Sequence, residues 1–244
     1  MASWTVCIGV PAVVVSVLTL GMLRRRLIRP VARAWSLPLI WVSGVTLEVR
    51  GREHLQARVG RVVTFNHTSY ADTFFIAAIA PDCFVPLVKR EFRWVPVLGQ
   101  VFWALGAAWV RRGTSKEALR TVTDVAHWLS DEGYTAFVAP EGTRSKNGEL
   151  QRFKRGALLM AQKSGVPLVP VVFHGAHGIM RPGDWQVGRG RVVVDIHPPR
   201  TIAPGEDVKQ ATQRLQDDYA QWLAAGPDAQ AVDALHAATA GGTA

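Results

Sequence analysis

From Val45 to Leu223 the chain alternates short runs of β-branched and aromatic residues with stretches that repeat apolar residues at helical spacing. The short runs are bounded by glycine, proline or charged residues, as strands are. This alternation predicts an α/β fold, with a single domain built on a mixed, largely parallel sheet that is flanked by helices. The predicted strands are Val45–Arg50, Arg61–Phe65, Phe84–Val88, Ala107–Arg111, Thr135–Val138, Pro167–Phe173 and Arg191–Ile196.

The helical stretches place apolar residues three and four positions apart, on one face of a helix. The predicted helices are Ala71–Ala80, Val95–Leu105, Ser115–Leu129, Gly156–Lys163 and Glu206–Leu223. Neither a repeat nor a linker interrupts this region, so we expect one domain over residues 45–224. The Ala/Gly-rich tail, residues 225–244, is predicted to be a loose helix or disordered.

Residues 1–44 differ from the rest and are predicted to attach the chain to a membrane. Thr5–Leu23 carries no charge, and at about 1.5 Å per residue a helix of this length crosses most of a ~30 Å hydrocarbon core. Basic residues follow it at once, which predicts that everything after them lies on the cytoplasmic face of the cell membrane. These residues are Arg24, Arg25, Arg26 and Arg29.

Two features of this region leave alternatives open. Ala32-Arg33-Ala34 resembles a signal-peptide cleavage site, although no Lys or Arg precedes the apolar run as it does in a signal peptide. Trp35–Ser43 is apolar but too short to span a bilayer. Its two tryptophans favour a position in the headgroup region, and the alternative is a part of the protein core.

The composition predicts a surface that attracts anions. The 244 residues carry a formal net charge of +9, with a pI of about 10.2. Nucleic acid, anionic lipid headgroups and phosphorylated substrates all match such a surface. Cys7 and Cys83 have no ligand spacing, so neither a disulfide framework nor a zinc site is expected.

Candidate chemistry begins in the turn after the strand Arg61–Phe65, where His67 and Asp72 stand five positions apart. A turn can bring the carboxylate to one imidazole nitrogen, which leaves the other nitrogen free to act as a general base. The alternatives are a pair of ordinary surface residues, or an Asp72 that simply caps the following helix.

Two further strand ends carry arginines beside glycines. Arg111 and Arg112 follow an apolar strand, and Arg144 stands in the segment Glu141-Gly142-Thr143-Arg144. A guanidinium binds phosphate through two parallel hydrogen bonds, and glycine lets the backbone approach a ligand. Glu141 could order the arginines or receive a substrate hydroxyl. The alternative for these charges is a solvated face.

A fourth block, Val166-Pro167-Leu168-Val169-Pro170-Val171, is apolar and predicted to line a pocket. His174 and His177, which follow it, are interpreted as structural or rim residues.

Together the four blocks resemble those of the glycerolipid acyltransferase family, typified by 1-acylglycerol-3-phosphate O-acyltransferase. Ala139 and Trp109 stand where that family usually has phenylalanine. The family's blocks are Asn-His-x4-Asp, Gly-x-x-Phe-x-x-Arg, Phe-Pro-Glu-Gly-Thr-Arg-Ser and Val-Pro-x-x-Pro-Val, matching residues 66–72, 106–112, 139–145 and 166–171.

The resemblance implies transfer of a fatty acyl group from acyl-CoA or acyl-carrier protein to a hydroxyl of lysophosphatidate, which makes phosphatidate for phospholipid synthesis. His67 would be the base, oriented by Asp72, in a direct attack without an acyl-enzyme. The acceptor phosphate would be held by Arg144 with Arg112 and Arg111, in a subsite shaped by Glu141, Gly142 and Thr143. Neither a metal nor another cofactor is implied.

Two other interpretations stay open. The acceptor could be another lyso-lipid or a lipid-linked headgroup, such as a lyso-ornithine lipid or a glycolipid. A protein of another class, a non-catalytic basic module that binds membrane lipid, would also account for the charge. A nucleic-acid partner is not expected, because the arginines cluster at glycine turns without the aromatic residues of a stacking platform.

Overall fold

In the computed structural model, residues 24–56, 59–96, 98–104, 106–110, 125–184 and 186–228 are described, together with positions 7 and 11. The strands are β1 (Val45–Arg50), β2 (Arg61–Phe65), β3 (Phe84–Val85), β4 (Leu87–Lys89), β5 (Ala108–Val110), β6 (Thr135–Val138), β7 (Leu168–His174) and β8 (Gly190–Ile196). The helices are α1 (Arg24–Val42), α2 (Asp72–Ile79), α3 (Leu98–Ala104), α4 (Gly156–Ser164) and α5 (Val208–Ala225).

Six of these strands form one sheet, in the order β1-β8-β7-β2-β6-β3. The strands β7, β2, β6 and β3 are parallel, and β8 runs antiparallel to β7 while β1 is parallel to β8. Val63 of β2 therefore lies between Phe137 of β6 and Val169 of β7. The predicted α/β fold with a mixed, largely parallel sheet flanked by helices is confirmed.

Both faces of β2 are buried, because helices cover the sheet on each side. Val63 points to the face that α1 and α2 cover, where it joins a cluster with Phe75. Val62 points the other way, into a cluster with Leu158 of α4 and Leu215 of α5. A strand with two buried faces needs apolar residues at successive positions, which explains the continuous β-branched run. Burying each such side chain contributes roughly 2 kcal/mol to folding.

The predicted helices agree with the structure where it describes them, with shifts of up to three residues at their ends. α5 begins at Val208 instead of Glu206, because the side chain of Asp207 caps it by accepting a hydrogen bond of 2.8 Å from the Lys209 N–H. Residues 125–130 are helical, and the predicted start of that helix at Ser115 lies outside the described residues. The tail from residue 229 onward also lies outside them.

The helix α1 includes the apolar stretch Trp35–Ser43 up to Val42 and packs on α2. Ile40 is buried in the same core cluster as α2, whereas Trp41 is 80% exposed. The Arg29 guanidinium donates a hydrogen bond to Asp82, so part of the basic cluster joins α1 to the domain. Within the described residues, none of the helices has the length and apolarity to cross a bilayer. The predicted membrane segment Thr5–Leu23 falls outside them, apart from positions 7 and 11.

The prediction of a single strand over Phe84–Val88 is wrong, since Pro86 divides it. Phe84 and Val85 pair with β6 in the main sheet, whereas β4 pairs with β5 in a separate two-stranded sheet. Proline has no N–H to donate to a neighbouring strand. The Pro86 carbonyl accepts a hydrogen bond of 2.9 Å from the Ala108 N–H, where the second sheet begins.

The strand directions bring the polar loops to one edge of the sheet. Parallel β2, β6 and β7 end at the same edge, which we call the carboxyl edge, and they lead into residues 66–71, 139–155 and 175–189. Because β8 and β1 run the other way, their first residues lie at this edge too. The end of α1, two residues before β1, therefore lies near it.

One buried contact between the sheet and α5 yields a test of this packing. The Tyr219 hydroxyl, wholly buried, lies 3.0 Å from Thr64 Oγ1 and accepts a hydrogen bond of 3.1 Å from the Val171 N–H. We expect Tyr219→Phe to lower the free energy of unfolding by about 1–3 kcal/mol, because it leaves buried polar groups without this partner. Denaturant unfolding in detergent measures the change.

The control for this measurement is Tyr70→Phe, at a tyrosine that is 40% exposed. It should lower the free energy of unfolding by roughly 0.5 kcal/mol or less. Equal effects of the two substitutions would show that the buried hydroxyl does not join α5 to the sheet.

Candidate active site

The side chain of Asn66 fixes the chain where it leaves β2. Its Nδ2 donates to the Phe173 carbonyl at 3.0 Å, and its Oδ1 accepts from the Phe173 N–H at 2.7 Å. Asn66 is 1% exposed, so these bonds are shielded from water. This amide joins the first polar residue after β2 to the end of β7, and it sets the starting point of the turn that holds His67.

His67 and Asp72 form a buried hydrogen-bonded pair. The distance from His67 Nδ1 to Asp72 Oδ2 is 2.7 Å, and the same oxygen accepts N–H bonds of 3.0 Å from both Thr68 and Ser69. A carboxylate at Nδ1 selects the tautomer that carries its proton there, which leaves Nε2 as an acceptor. Asp72 is wholly buried, whereas His67 is 8% exposed, so the imidazole has the accessible edge of the pair.

The interpretation of Asp72 as a helix cap is wrong. The residue at the N-cap of α2 is Ala71, without a side-chain hydrogen bond, and Asp72 is the first residue of the helix itself. Its carboxylate reaches back to the turn instead. Burial raises the pKa of Asp72, and hydrogen bonds from His67 and from the Ser69 N–H oppose this shift by favouring the charged form.

Glu141, in the loop after β6, holds the same turn. Its Oε1 accepts a hydrogen bond of 2.7 Å from the His67 N–H, and its Oε2 accepts one of 3.1 Å from the Gln151 N–H. The Ser145 N–H donates to the His67 carbonyl at 2.8 Å, so both backbone groups of His67 are bound by the loop after β6. Burial raises the pKa of Glu141 to about 7.

Arg144 lies beside this turn. Its Nε donates to the Ser69 carbonyl at 3.3 Å, and its guanidinium lies 4.7 Å from the centre of the Tyr70 ring. Gly142 adopts a left-handed conformation with φ of 73°, and a Cβ there would come within 2.8 Å of Lys154 Nζ. Thr143 is exposed next to them. One cationic surface therefore borders His67.

Among the residues predicted for the site, the structure brings together His67, Asp72, Glu141 and Arg144. The predicted phosphate-binding residues Arg111 and Arg112 lie outside the described residues. Within the described residues no group of three or more His, Cys, Asp or Glu side chains could hold a metal ion.

Sequence reasoning assigned no role to Asn66 and read His177 only as a structural or rim residue. His177 Nδ1 lies 3.1 Å from the Thr68 carbonyl, so it supports the turn from the loop after β7. A polar residue at the end of a buried strand was the available signal for Asn66. The sequence contained no comparable signal for His177, because its contact joins positions that are 109 residues apart.

A second buried pair lies elsewhere in the sheet. His174 Nε2 is 3.1 Å from Asp195 Oδ2, and His197, directly after β8, stacks on Trp222 of α5 with ring centres 3.6 Å apart. Burial lowers the pKa of His197 to about 4, so that ring is neutral at physiological pH. These residues connect β7, β8 and α5 and do not join the turn of His67.

Known proteins share this arrangement of sequence and fold. The model of the family described as Acyltransferase matches residues 46–174. The 1-acyl-sn-glycerol-3-phosphate acyltransferase of Limnanthes douglasii is 30% identical over 161 residues, which cover 66% of this chain and 57% of that protein. The human 1-acyl-sn-glycerol-3-phosphate acyltransferase alpha is 31% identical over 169 residues, which cover 69% of this chain and 60% of the human protein.

The fold itself has been solved in a similar protein. The crystal structure of the 1-acyl-sn-glycerophosphate (LPA) acyltransferase PlsC from Thermotoga maritima superposes with a TM-score of 0.58. It covers 80% of this chain and 78% of that one at 24% sequence identity.

The matched region contains all four sequence blocks in full, and it includes the buried His67–Asp72 pair. The chain spans only about three fifths of the length of the two curated relatives. With the family model matching more than half of its residues, the chain belongs to the glycerolipid acyltransferase family.

Proposed function

We propose that the protein transfers a fatty acyl group from an acyl thioester, either acyl-CoA or acyl-carrier protein, to a free hydroxyl of lysophosphatidate, forming phosphatidate for phospholipid synthesis. The observation that carries this proposal is the buried His67–Asp72 pair, which opens at a cationic surface on the carboxyl edge. The names of the relatives, as 1-acyl-sn-glycerol-3-phosphate acyltransferases, support the choice of substrate.

In the proposed reaction, His67 Nε2 takes the proton of the acceptor hydroxyl as its oxygen attacks the thioester carbonyl carbon. A C–O ester bond forms, the C–S bond breaks, and the imidazolium returns the proton to the thiolate that leaves. Asp72, 2.7 Å from Nδ1, stabilises the positive ring while it carries the proton. A general base placed in this way accelerates proton transfer by about 100- to 10,000-fold.

Direct attack is favoured over an acyl-enzyme, because the nearby serine hydroxyls are engaged elsewhere. Ser69 Oγ donates to the Met180 carbonyl at 2.9 Å and accepts the Ala71 N–H at 3.1 Å. Ser145 Oγ donates to Asn147 Oδ1 at 2.9 Å. A serine nucleophile needs its proton directed at a base, and neither of these hydroxyls forms a hydrogen bond with His67.

For the acceptor phosphate we propose Arg144, together with Arg112 and Arg111, in a subsite bordered by Gly142 and Thr143. Arg144 lies next to the His67 turn through its bond to the Ser69 carbonyl, which supports this assignment. Glu141 is proposed to position His67 and not to touch the substrate, because its two oxygens accept backbone N–H groups.

We also propose that the chain is attached to the cytoplasmic face of the cell membrane through residues 1–44. The uncharged run Thr5–Leu23 and the arginines directly after it support this location. Such attachment would hold the site near acyl chains and lipid acceptors.

A second candidate is transfer to a different lipid acceptor, such as a lyso-ornithine lipid or a glycolipid. It is supported by Ala139, which is partly buried against the core where the family usually has a phenylalanine. A smaller side chain there leaves more space beside Glu141.

We expect His67→Ala to lower kcat by about 100- to 10,000-fold, because the acceptor hydroxyl then lacks its base. The assay follows phosphatidate by mass spectrometry, with lysophosphatidate and either thioester donor. His127→Ala, at an exposed histidine of the segment 125–130, is the matched control and should retain the wild-type rate. A folded His67→Ala variant with wild-type turnover would exclude the proposed mechanism.

Arg144→Gln should raise the KM for lysophosphatidate about tenfold with a smaller effect on the KM for the thioester, since it removes a charge-assisted bond to phosphate. Lys163→Gln, in the last turn of α4, is the control. A panel of acceptors completes the test. Activity on an unphosphorylated acceptor or an ornithine lipid, and none on lysophosphatidate, would support the second candidate instead.

Glu141→Gln tests the positioning role, because an amide can accept only one of the two backbone N–H bonds. We expect lower kcat and lower stability. Since folding raises the pKa of Glu141 from 4.5 to about 7, the native state retains a proton that the unfolded chain loses. The stability advantage over the non-titrating variant should therefore shrink as the pH rises from about 4.5 to about 7.

The pH series is measured as thermal midpoints of both proteins, with Glu149→Gln as the control at an exposed glutamate of the same loop. That variant should follow the wild type at every pH. A difference between wild type and Glu141→Gln that stays constant over the same range would refute the raised pKa.

A further inference from the structure

Large apolar side chains that stay exposed are concentrated at the carboxyl edge. Among the described residues, two groups of them stand out. One is the end of α1, where Trp41 is 80% and Val42 is 73% exposed. The other follows β4, where Trp94 is 79%, Trp103 is 54% and Phe92 is 43% exposed. Exposed aromatic groups clustered in this way mark interaction sites.

Strand directions place the end of α1 and the residues directly after β4, which include Phe92 and Trp94, at this edge. Trp103 of α3 joins the second group because it lines one cavity with Arg93. β3 is parallel to β6, and β4 continues from it and contacts β6, so the chain leaves β4 at the carboxyl edge. α1 ends two residues before β1, whose first residue lies at the same edge. In the sheet order, β1 is at one end, β3 is at the other, and β2 with the His67 turn lies between them.

The segment after β4 combines aromatic groups with positive charge. We call residues 89–96 and 98–103 the outer segment. From Lys89 to Pro96 every residue is exposed, and this stretch contains Lys89, Arg90 and Arg93 against one acidic residue, Glu91. The Arg93 guanidinium lies 5.5 Å from the centre of the Trp94 ring. Tryptophan beside arginine and lysine is the composition of segments that lie in the headgroup region of anionic bilayers.

We propose that the outer segment is a second membrane contact, which lies among anionic lipid headgroups at the end of the sheet opposite the last residues of α1. The bilayer would then meet the protein on both sides of the His67 turn, and the turn would face the membrane surface. This inference rests on the proposed function only in that a lipid acceptor has to reach His67 from the bilayer.

A bilayer suits this segment better than a protein partner does. An acidic carrier protein would be attracted by Lys89, Arg90 and Arg93, but it would not require the exposed Phe92 and Trp94 between them. Similar apolar residues are exposed at the end of α1, at the far end of the sheet. A partner that covers both groups needs a surface as wide as the whole carboxyl edge. A planar membrane provides such a surface.

The first test places a fluorescent label next to the aromatic groups without replacing them. In the full chain with Cys7→Ser and Cys83→Ser, a label is attached to Glu91→Cys, where the native side chain is 66% exposed. The control label is attached to Lys163→Cys, which is exposed at the end of α4 and therefore at the opposite edge of the sheet. Each protein is reconstituted into phosphatidylcholine vesicles, with or without phosphatidylglycerol, that contain lipid with a nitroxide high on its acyl chain.

We expect quenching at position 91 to be about threefold stronger than at position 163, and stronger again with phosphatidylglycerol present. Equal quenching at the two positions would overturn the proposal. Protection of label 91 by added acyl-carrier protein, without quenching by lipid, would also overturn it and assign the segment to a protein partner. This readout needs no enzymatic activity, so it stays valid if the proposed function is wrong.

The second test separates lipid contact from catalysis. Trp94→Ser combined with Trp103→Ser should raise the apparent KM for lysophosphatidate in vesicles several-fold and leave turnover of a soluble short-chain lysophosphatidate unchanged. Val59→Ser is the control, because Val59 is 48% exposed at the opposite edge, before β2. Equal kinetics of the double variant and wild type on vesicles would contradict the proposal.

Discussion

The geometry of the site depends on one carboxylate oxygen. Asp72 Oδ2 accepts the His67 Nδ1 proton and the N–H groups of Thr68 and Ser69, so the turn is folded around a single acceptor. Within the described part of the chain, no hydrogen-bond donor reaches the other oxygen, Oδ1, although it is buried. Burying a carboxylate costs several kcal/mol unless donors surround it. The conformation of the turn is therefore coupled to the negative charge of Asp72, which also interacts with the His67 imidazole.

Around this centre, both neighbouring strands restrain the backbone at His67. β7 binds Asn66 just before it, and the loop after β6 binds its N–H through Glu141 and its carbonyl through Ser145. These contacts lock the backbone on which the imidazole stands, whereas the imidazole itself keeps one accessible edge. The proposed role of His67 as a base needs such support from rigid elements, because the imidazole would have to meet a substrate proton within hydrogen-bond distance.

Much of this could be read from the sequence, and the limits have physical causes. The β-branched run Arg61–Phe65 and the polar turn after it predicted β2 and the pair His67–Asp72, because strands and turns have local signatures. The reversal of β8 against β7 could not be predicted, since a buried strand shows the same apolar pattern in either direction. The contact of Glu141 with His67 joins residues 74 positions apart and exists only because β2 and β6 are neighbours.

Pro86 limits strand pairing between two molecules of this protein. By ending β3 after two residues, it leaves that border of the main sheet too short to template another strand. The opposite border, β1, carries Glu48 and Arg50, whose charges are bound to Arg191 and Asp228 across its surface. Both borders of the sheet therefore offer little for a strand of another molecule to pair with.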